Sequence, residues 1–599
     1  MSAIRPSLHY RIAPLDPNTH LFEVSVTVDD PDPAGQRFIL PTWVPGSYLI
    51  REFARHFVRV NAEASGMPVA IEKIAKSTWQ AAPCKGALRV TAHVYAFDLS
   101  VRAAYLDETR AYFNGATVFL CPEGREEAPC SVEIVAPEAP RFKTWRVATT
   151  MRRAGAAERG FGLYEAANYD ELIDHPVEAS DFAWTRFDAG HVPHEIAITG
   201  RHDADLVRLT RDFARICEWQ IALFGEAPFD RYLFQVTAVG DGYGGLEHRA
   251  STSLVCRRDD LPHAANAEID DDYLNFLGLA SHEYFHAWNV KRIKPAAFVP
   301  YDLSREAYTR QLWAFEGITS YYDDLTLVRC GLISPERYLE LVSRVITSVM
   351  RSPGRHEQSV AESSFDAWIK FYRQDENSPN AMVSYYAKGS LVACALDLTL
   401  RRDGRASLDD LMRNLWQRYG KTGVGVPEDG IARIASELAG RDLSDFFARC
   451  VHGTEDPPLA DLLADFGVTL RARPTAGAKD RGGKPANGSL PRTTLGARVG
   501  AEQKLAVVFP HGPAARAGLS ANDTLVAVGG LKATPERLAT LLSRYAPGET
   551  IDVVAFRRDE LMTFRLTLDA APDDTFYCTI DTAAPRDVEM RRDAWLRGA

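Results

Sequence analysis

No uncharged apolar run of 18 residues occurs in this 599-residue sequence, so no membrane insertion is expected. The start, Met1-Ser2-Ala3-Ile4-Arg5-Pro6, lacks an apolar core segment and a small-residue cleavage site, so no secretory signal is read there. The nine cysteines (84, 121, 130, 217, 256, 330, 394, 450 and 578) contain no Cys-x-x-Cys pair, which argues against a thiolate zinc site. An odd number of scattered thiols without a signal fits a reducing, cytoplasmic setting; Cys121 and Cys130 would bridge only on export. An excess of positive charge is missing as well. Lys and Arg total 69 against 80 Asp and Glu, a net charge of −11. That balance argues against a dedicated nucleic-acid binder and against a polybasic membrane-surface protein. No internal repeat is visible.

What is present is material for large cores, since 46% of residues are hydrophobic. The length predicts roughly four domains at about 150 residues each. Residues 1–195 read as an antiparallel β domain: alternating segments at His9–Ala13, Leu21–Val28, Phe57–Asn61 and Leu88–Ala96 are separated by Pro/Gly/Asp clusters. Near residue 200 the hydrophobic period becomes helical, as in Leu206, Leu209, Phe213, Ile216 and Cys217. Residues 196–472 are expected to be mostly helical, with helices at 270–290, 306–330, 335–351, 383–401, 407–419 and 429–439. Phe234–Val239 reads as a buried strand. Gly331 and Gly420 are expected just past helix ends, and Pro335 at a helix start. Residues 473–489 have linker or loop composition, short strands and a helix return over 490–575, and 576–599 is read as a charged tail.

The strongest chemical signal is His282-Glu283-Tyr284-Phe285-His286. Helical residues four apart lie about 40° apart around the axis, so two imidazoles can face one tetrahedral metal. Glu283 lies on the same side, within reach of a water at that metal. A third protein ligand is needed, and Glu316 is the candidate. It stands in Trp313-Ala314-Phe315-Glu316-Gly317, where a carboxylate among apolar and small neighbours requires a partner or a metal.

The pattern then becomes specific. His-Glu-x-x-His followed by Trp313-x-x-Glu316-Gly317-x-x-x-Tyr321 resembles the gluzincin metallopeptidases, and among them the aminopeptidases. Gly244-Gly245-Leu246-Glu247-His248 resembles their Gly-x-Met-Glu-Asn exopeptidase segment, and Tyr386-Ala387-Lys388-Gly389 their tyrosine-bearing segment. With Trp43-Val44-Pro45-Gly46-Ser47-Tyr48 and Trp288-Asn289-Val290-Lys291-Arg292 added, nearly the whole chain resembles the glycyl aminopeptidase family. Three departures stand out. Leu246 and His248 replace Met and Asn, the interval from His286 to Glu316 is longer, and Ala381 stands where many relatives keep a second tyrosine. The Trp43–Tyr48 segment has no chemistry that follows from its residues.

The resemblance implies a thermolysin-like catalytic domain holding one Zn2+ per chain on His282, His286 and Glu316. It implies Glu283 as general base, Tyr386 as oxyanion donor (Tyr385 being its competitor), and Glu247 as partner of the substrate's α-ammonium. Gly244 and Gly245 would let an extended substrate approach closely. Family members prefer N-terminal glycine or alanine. Gly512-Pro513-Ala514-Ala515-Arg516-Ala517-Gly518-Leu519 and its flanking strands resemble a PDZ domain, which would bind a peptide C-terminus or the chain's own catalytic domain. Asp323-Asp324 supports the site or is a solvated face. The resulting expectation is a multidomain α+β metalloaminopeptidase acting on peptides with a free N-terminus. A metal-dependent endopeptidase and a non-enzymatic PDZ scaffold are the rivals, and epoxide hydrolysis on the same metal site stays open.

Overall fold

The computed structural model describes residues 6–598. The described residues form two compact units, 6–307 with 415–426, and 308–414 with 427–598.

The first unit opens with an eight-stranded sheet. Its strand order is Arg152–Arg153, Gly162–Ala166, Cys130–Ile134, Leu8–Asp16, Leu21–Val28, Leu88–Tyr95, Phe57–Ala64 and Met67–Val69. Alternation drives it: Leu88, Val90, Ala92 and Val94 are buried while their neighbours face outward. The sheet departs from the antiparallel expectation at one pair. Leu8–Asp16 runs parallel to Cys130–Ile134, because more than a hundred residues of crossover separate them where a hairpin would impose the opposite direction. Cys121 and Cys130 are buried, and among the described residues no cysteine is in a disulfide.

A five-stranded sheet follows, ordered Ala183–Ala189, Val192–Thr199, Tyr232–Val239, Ser251–Arg257 and Gly244–Glu247. The Phe234–Val239 segment lies within its central strand, which pairs in parallel on both sides. Gly244–Glu247 is an antiparallel edge strand. Helix Leu206–Phe224 is capped by Asp205, whose side chain accepts from Val207 N and Arg208 N, and ends at Gly225 with φ 85°. Helix Asp271–Phe285 is capped in the same way by Asp270. It stops five residues before the expected end because the Arg292 guanidinium takes the Ala287 carbonyl at 2.7 Å and turns the chain away.

In the second unit the helix expected from 306 begins at Leu312. Thr309 Oγ1 donates to Glu428 at 2.8 Å and Gln311 to the Pro427 carbonyl at 2.5 Å, which ties the preceding residues to the 427–428 segment. Helices Gly317–Arg329, Pro335–Met350, Ala387–Arg402 and Gly430–Ala439 follow. Gly331 has φ 73°, as a residue past a helix end should. Gly420, back in the first unit, does not; it lies in a wide turn, Trp416–Gly420, where the missing Cβ leaves room for the Trp416 ring.

A four-stranded antiparallel sheet (Leu531–Lys532, Thr524–Val528, Thr550–Arg557, Glu560–Thr567) with helices Pro513–Arg516 and Pro535–Leu542 surrounds its own core of Leu505, Leu525, Val553 and Leu566. The preceding 473–489 segment is a pinned loop: Arg473 pairs with Asp480, and Arg351 donates to the Asp480 carbonyl at 2.6 Å. The segment read as a tail turns back. Thr575–Ile580 pairs antiparallel with Val468–Arg473, and helix Arg586–Arg597 buries Trp595, whose indole donates to Tyr321 Oη at 2.8 Å.

Candidate active site

His282 occupies the last turn of Asp271–Phe285, and His286 follows it with backbone still helical (φ −61°, ψ −18°), so the four-residue spacing is kept. Their Nε2 atoms lie 2.9 Å apart with the rings nearly perpendicular, at 88°. His286 Nδ1 is 2.6 Å from the Asn289 carbonyl, which can only accept. The proton therefore sits on Nδ1, and the His286 Nε2 lone pair points toward His282. Two nitrogens bound at 2.0–2.1 Å to one tetrahedral ion stand about 3.3 Å apart, so this donor pair fits a zinc-sized ion.

Glu316 lies at the junction between Leu312–Phe315 and Gly317–Arg329 and is 2% exposed. His282, His286 and Glu316 each offer one nitrogen or carboxylate oxygen as a ligand atom. Two His and a buried carboxylate are a donor set suited to Zn2+. Gly317 is what lets its helix meet Ala387–Arg402: a Cβ there would strike the Gly389 backbone. The Glu-Gly and Lys-Gly pairs of the sequence thus form one close helix crossing beside Glu316.

Lys388, in the same helix, is fully buried and donates to the carbonyls of Thr454 at 2.9 Å and Arg355 at 3.2 Å, a structural anchor. Tyr385 is fully buried, whereas Tyr386 is half-buried. Burial, with Tyr372 and Glu316 adding to it, raises the Tyr385 phenol well above its ordinary value. Tyr386 Oη stands 3.0 Å from Tyr372 Oη, and its ring stacks on Phe371.

Glu283 is nearly buried, and its carboxylate lies against Gly245 so closely that a Cβ at Gly245 would overlap it. Gly245 carries its carbonyl outward to Arg102, which donates to it at 3.2 Å. Glu247, 3% exposed, ends the same edge strand. Its carboxylate lies against Gly46.

The turn after Glu247 is held by Asp174. That carboxylate meets Lys291 Nζ at 2.7 Å and accepts from Arg249 N at 2.9 Å. Burial alone would raise the Asp174 carboxyl, but Lys291 and Arg249 hold it well below the usual range. His248, 3.5 Å from Asp174, is pushed below its ordinary value chiefly by burial. His248 is thus a buried histidine packed into an ionic cluster. Arg102, Asp174 and Tyr372 went unread in the sequence, since no spacing links residues 70 or more positions away to a motif; Tyr372 is nearer, but on a loop without periodicity.

A helix presenting two histidines and a glutamate beside a glycine-rich edge strand defines a metallopeptidase. The comparisons agree. The Peptidase M61 N-terminal domain matches residues 9–181, and the M61 glycyl aminopeptidase domain matches residues 275–392. Among solved structures the chain is similar to an aminopeptidase N family protein from Idiomarina loihiensis, at 42% identity and TM-score 0.94, covering 98% of this chain and 100% of that one. An M1 zinc metallopeptidase from Deinococcus radiodurans matches at 14% identity and TM-score 0.48, over 76% of this chain and 96% of that one. No curated protein matches the sequence. The chain belongs to the M61 glycyl aminopeptidase family and is a metalloaminopeptidase.

Proposed function

We propose that this enzyme holds one Zn2+ per chain on His282, His286 and Glu316 and releases N-terminal residues, small ones such as Gly and Ala, from peptides. The observation that carries this reading is the 2.9 Å approach of His282 Nε2 and His286 Nε2 on one helix, with Glu283 between them in sequence. When bound, zinc supplies Lewis acidity toward the scissile carbonyl and lowers the pKa of water. Glu283 takes a proton from the attacking water and delivers it to the leaving amine. The Tyr386 hydroxyl donates to the oxygen on which negative charge develops. Glu247 pairs with the α-ammonium, which fixes the free N-terminus one residue from the reacting bond. The backbone of Gly244 and Gly245 lines the extended chain.

The 490–575 module is read as PDZ-like, with a peptide C-terminus or the catalytic domain itself as its ligand. Asn380 Nδ2 donates to the Val508 carbonyl at 3.0 Å, which favours the second. A cytoplasmic setting accords with nine cysteines outside any disulfide.

The test compares glycyl- and alanyl-peptides with their N-acetylated forms, using zinc-replete enzyme. Cleavage of free amines alone is expected. Equal cleavage of both would make the protein an endopeptidase, and cleavage of neither a scaffold.

A further inference from the structure

The Trp43–Tyr48 segment is the one motif whose chemistry its residues do not reveal, and the structure supplies a role for it. Ser47 N donates to the Val44 carbonyl at 3.0 Å, which closes a four-residue turn. Pro45 takes its second position and Gly46 its third, with φ 94°. That is a type II turn, in which proline presets one torsion and the positive φ calls for glycine. Gly46 has a second reason to be glycine. A Cβ built on it would meet Cδ and both carboxylate oxygens of Glu247. The carboxylate therefore rests flat on the apex of the turn.

The turn is firmly seated. Trp43 Nε1 donates to the carbonyls of Asp302 at 3.0 Å and Arg305 at 2.8 Å. Thr42 N donates to the Leu303 carbonyl at 2.8 Å. Arg51 donates twice to Ser47 Oγ, at 3.1 and 2.8 Å. Tyr48 stacks on Phe298 at 5.8 Å. Each of these contacts fixes the platform on which Glu247 rests, and none of them touches Glu247 itself.

We propose that the Val44–Ser47 turn is the positioning element for the substrate's α-ammonium, with Gly46 setting the depth at which the Glu247 carboxylate sits. This rests on the reading of Glu247 as ammonium anchor. Gly46 is a positioning residue, because it acts through Glu247. A methyl at Gly46 would displace the carboxylate and weaken a charge-assisted hydrogen bond, so the effect falls on binding of free amines.

The test is a double-mutant cycle on the full-length zinc enzyme with a glycyl dipeptide amide. Gly46→Ala is expected to raise KM by about ten- to a hundredfold, with kcat changed less, as for losing a hydrogen bond to a charged group. In the Glu247→Ala background the same substitution should change KM by less than about twofold. Equal effects of Gly46→Ala in both backgrounds would overturn the proposal. Unchanged free-amine preference in Glu247→Ala alone would instead overturn the anchor reading, so the two failures are distinguishable.

Strain at positive φ can lower the yield of Gly46→Ala. Trp43→Phe then serves as a second variant, since it removes the indole donor and leaves the turn sequence intact. It is expected to raise KM for free amines in the native background and not in Glu247→Ala. A rise in both, or in neither, would overturn the proposal.

Discussion

The hydroxyls of Tyr372 and Tyr386 lie 3.0 Å apart, and the rings of Tyr386, Phe371 and Tyr385 pack as a triangle with centroids 4.7–5.4 Å apart. A phenol packed against two neighbouring rings and bonded at its tip has little rotamer freedom left, which is what an oxyanion donor needs before the charge appears. Tyr386→Phe is expected to lower kcat by about a hundredfold or more. Tyr372→Phe removes one hydrogen bond and should cost about three- to tenfold in kcat, with KM little changed. Steady-state kinetics on alanyl-peptides checks both. An unaltered kcat in Tyr386→Phe would move the role elsewhere.

Glu283→Gln should retain stoichiometric zinc, because His282, His286 and Glu316 are untouched, and yet lose about 10²- to 10⁴-fold in turnover. Metal analysis alongside the assay separates a lost base from a lost ion. Near-normal rates would remove Glu283 from the proton-transfer role.

Gly245→Ala inserts a methyl where the Glu283 carboxylate lies. A displacement of the order of 1 Å is expected to cost about a hundredfold in kcat while zinc content stays at wild-type level. Wild-type kinetics for this variant would show that the carboxylate works from another position.

Chelation should abolish activity and added zinc restore it. His286→Ala and Glu316→Ala should purify with substoichiometric zinc. Full occupancy in either variant would show that the assigned residue is not a ligand.

Asp324 gives a pH-dependent stability. Burial, with Asp323 adding to it and Arg344 opposing, lifts its carboxyl to about 7. The folded state therefore holds a proton between about pH 4 and 7 that the unfolded chain has released. The cost of ionising Asp324 in the fold grows as pH rises through that window and is complete above it. Asp324→Asn should be more stable than wild type by about 1–3 kcal/mol at pH 8 and no more stable at pH 4. Thermal melts at the two pH values decide this, and a gain that does not depend on pH would contradict it.

Much of this protein is legible in its sequence, and for a physical reason. Helical and strand periodicity are local, so Leu21–Val28, Leu88–Tyr95 and Pro335–Met350 can be found from short windows. The His282/His286 pair is equally local, and Glu316 betrays itself as a carboxylate in apolar company. What stays hidden depends on distant chain. Gly46 meets Glu247 some two hundred residues away, and Arg102 reaches the Gly245 carbonyl. The helix start at Leu312 is set by Glu428 and Pro427. The parallel pairing of Leu8–Asp16 with Cys130–Ile134 is likewise a decision of tertiary structure. Gly420 misleads because glycine serves close packing as often as it ends helices.

The pairing of Val468–Arg473 with Thr575–Ile580 makes the 490–575 module an insertion whose entry and exit strands lie side by side, with Arg473 directly opposite Thr575. Seen this way, the two strands are the arms of a hairpin, and an entire domain takes the place of its turn. Such a domain is tethered twice at one point, and the Asn380 amide on the Val508 carbonyl holds it at a second place. It could also be exchanged for a few turn residues without parting the strands or freeing the Trp595 helix that follows them.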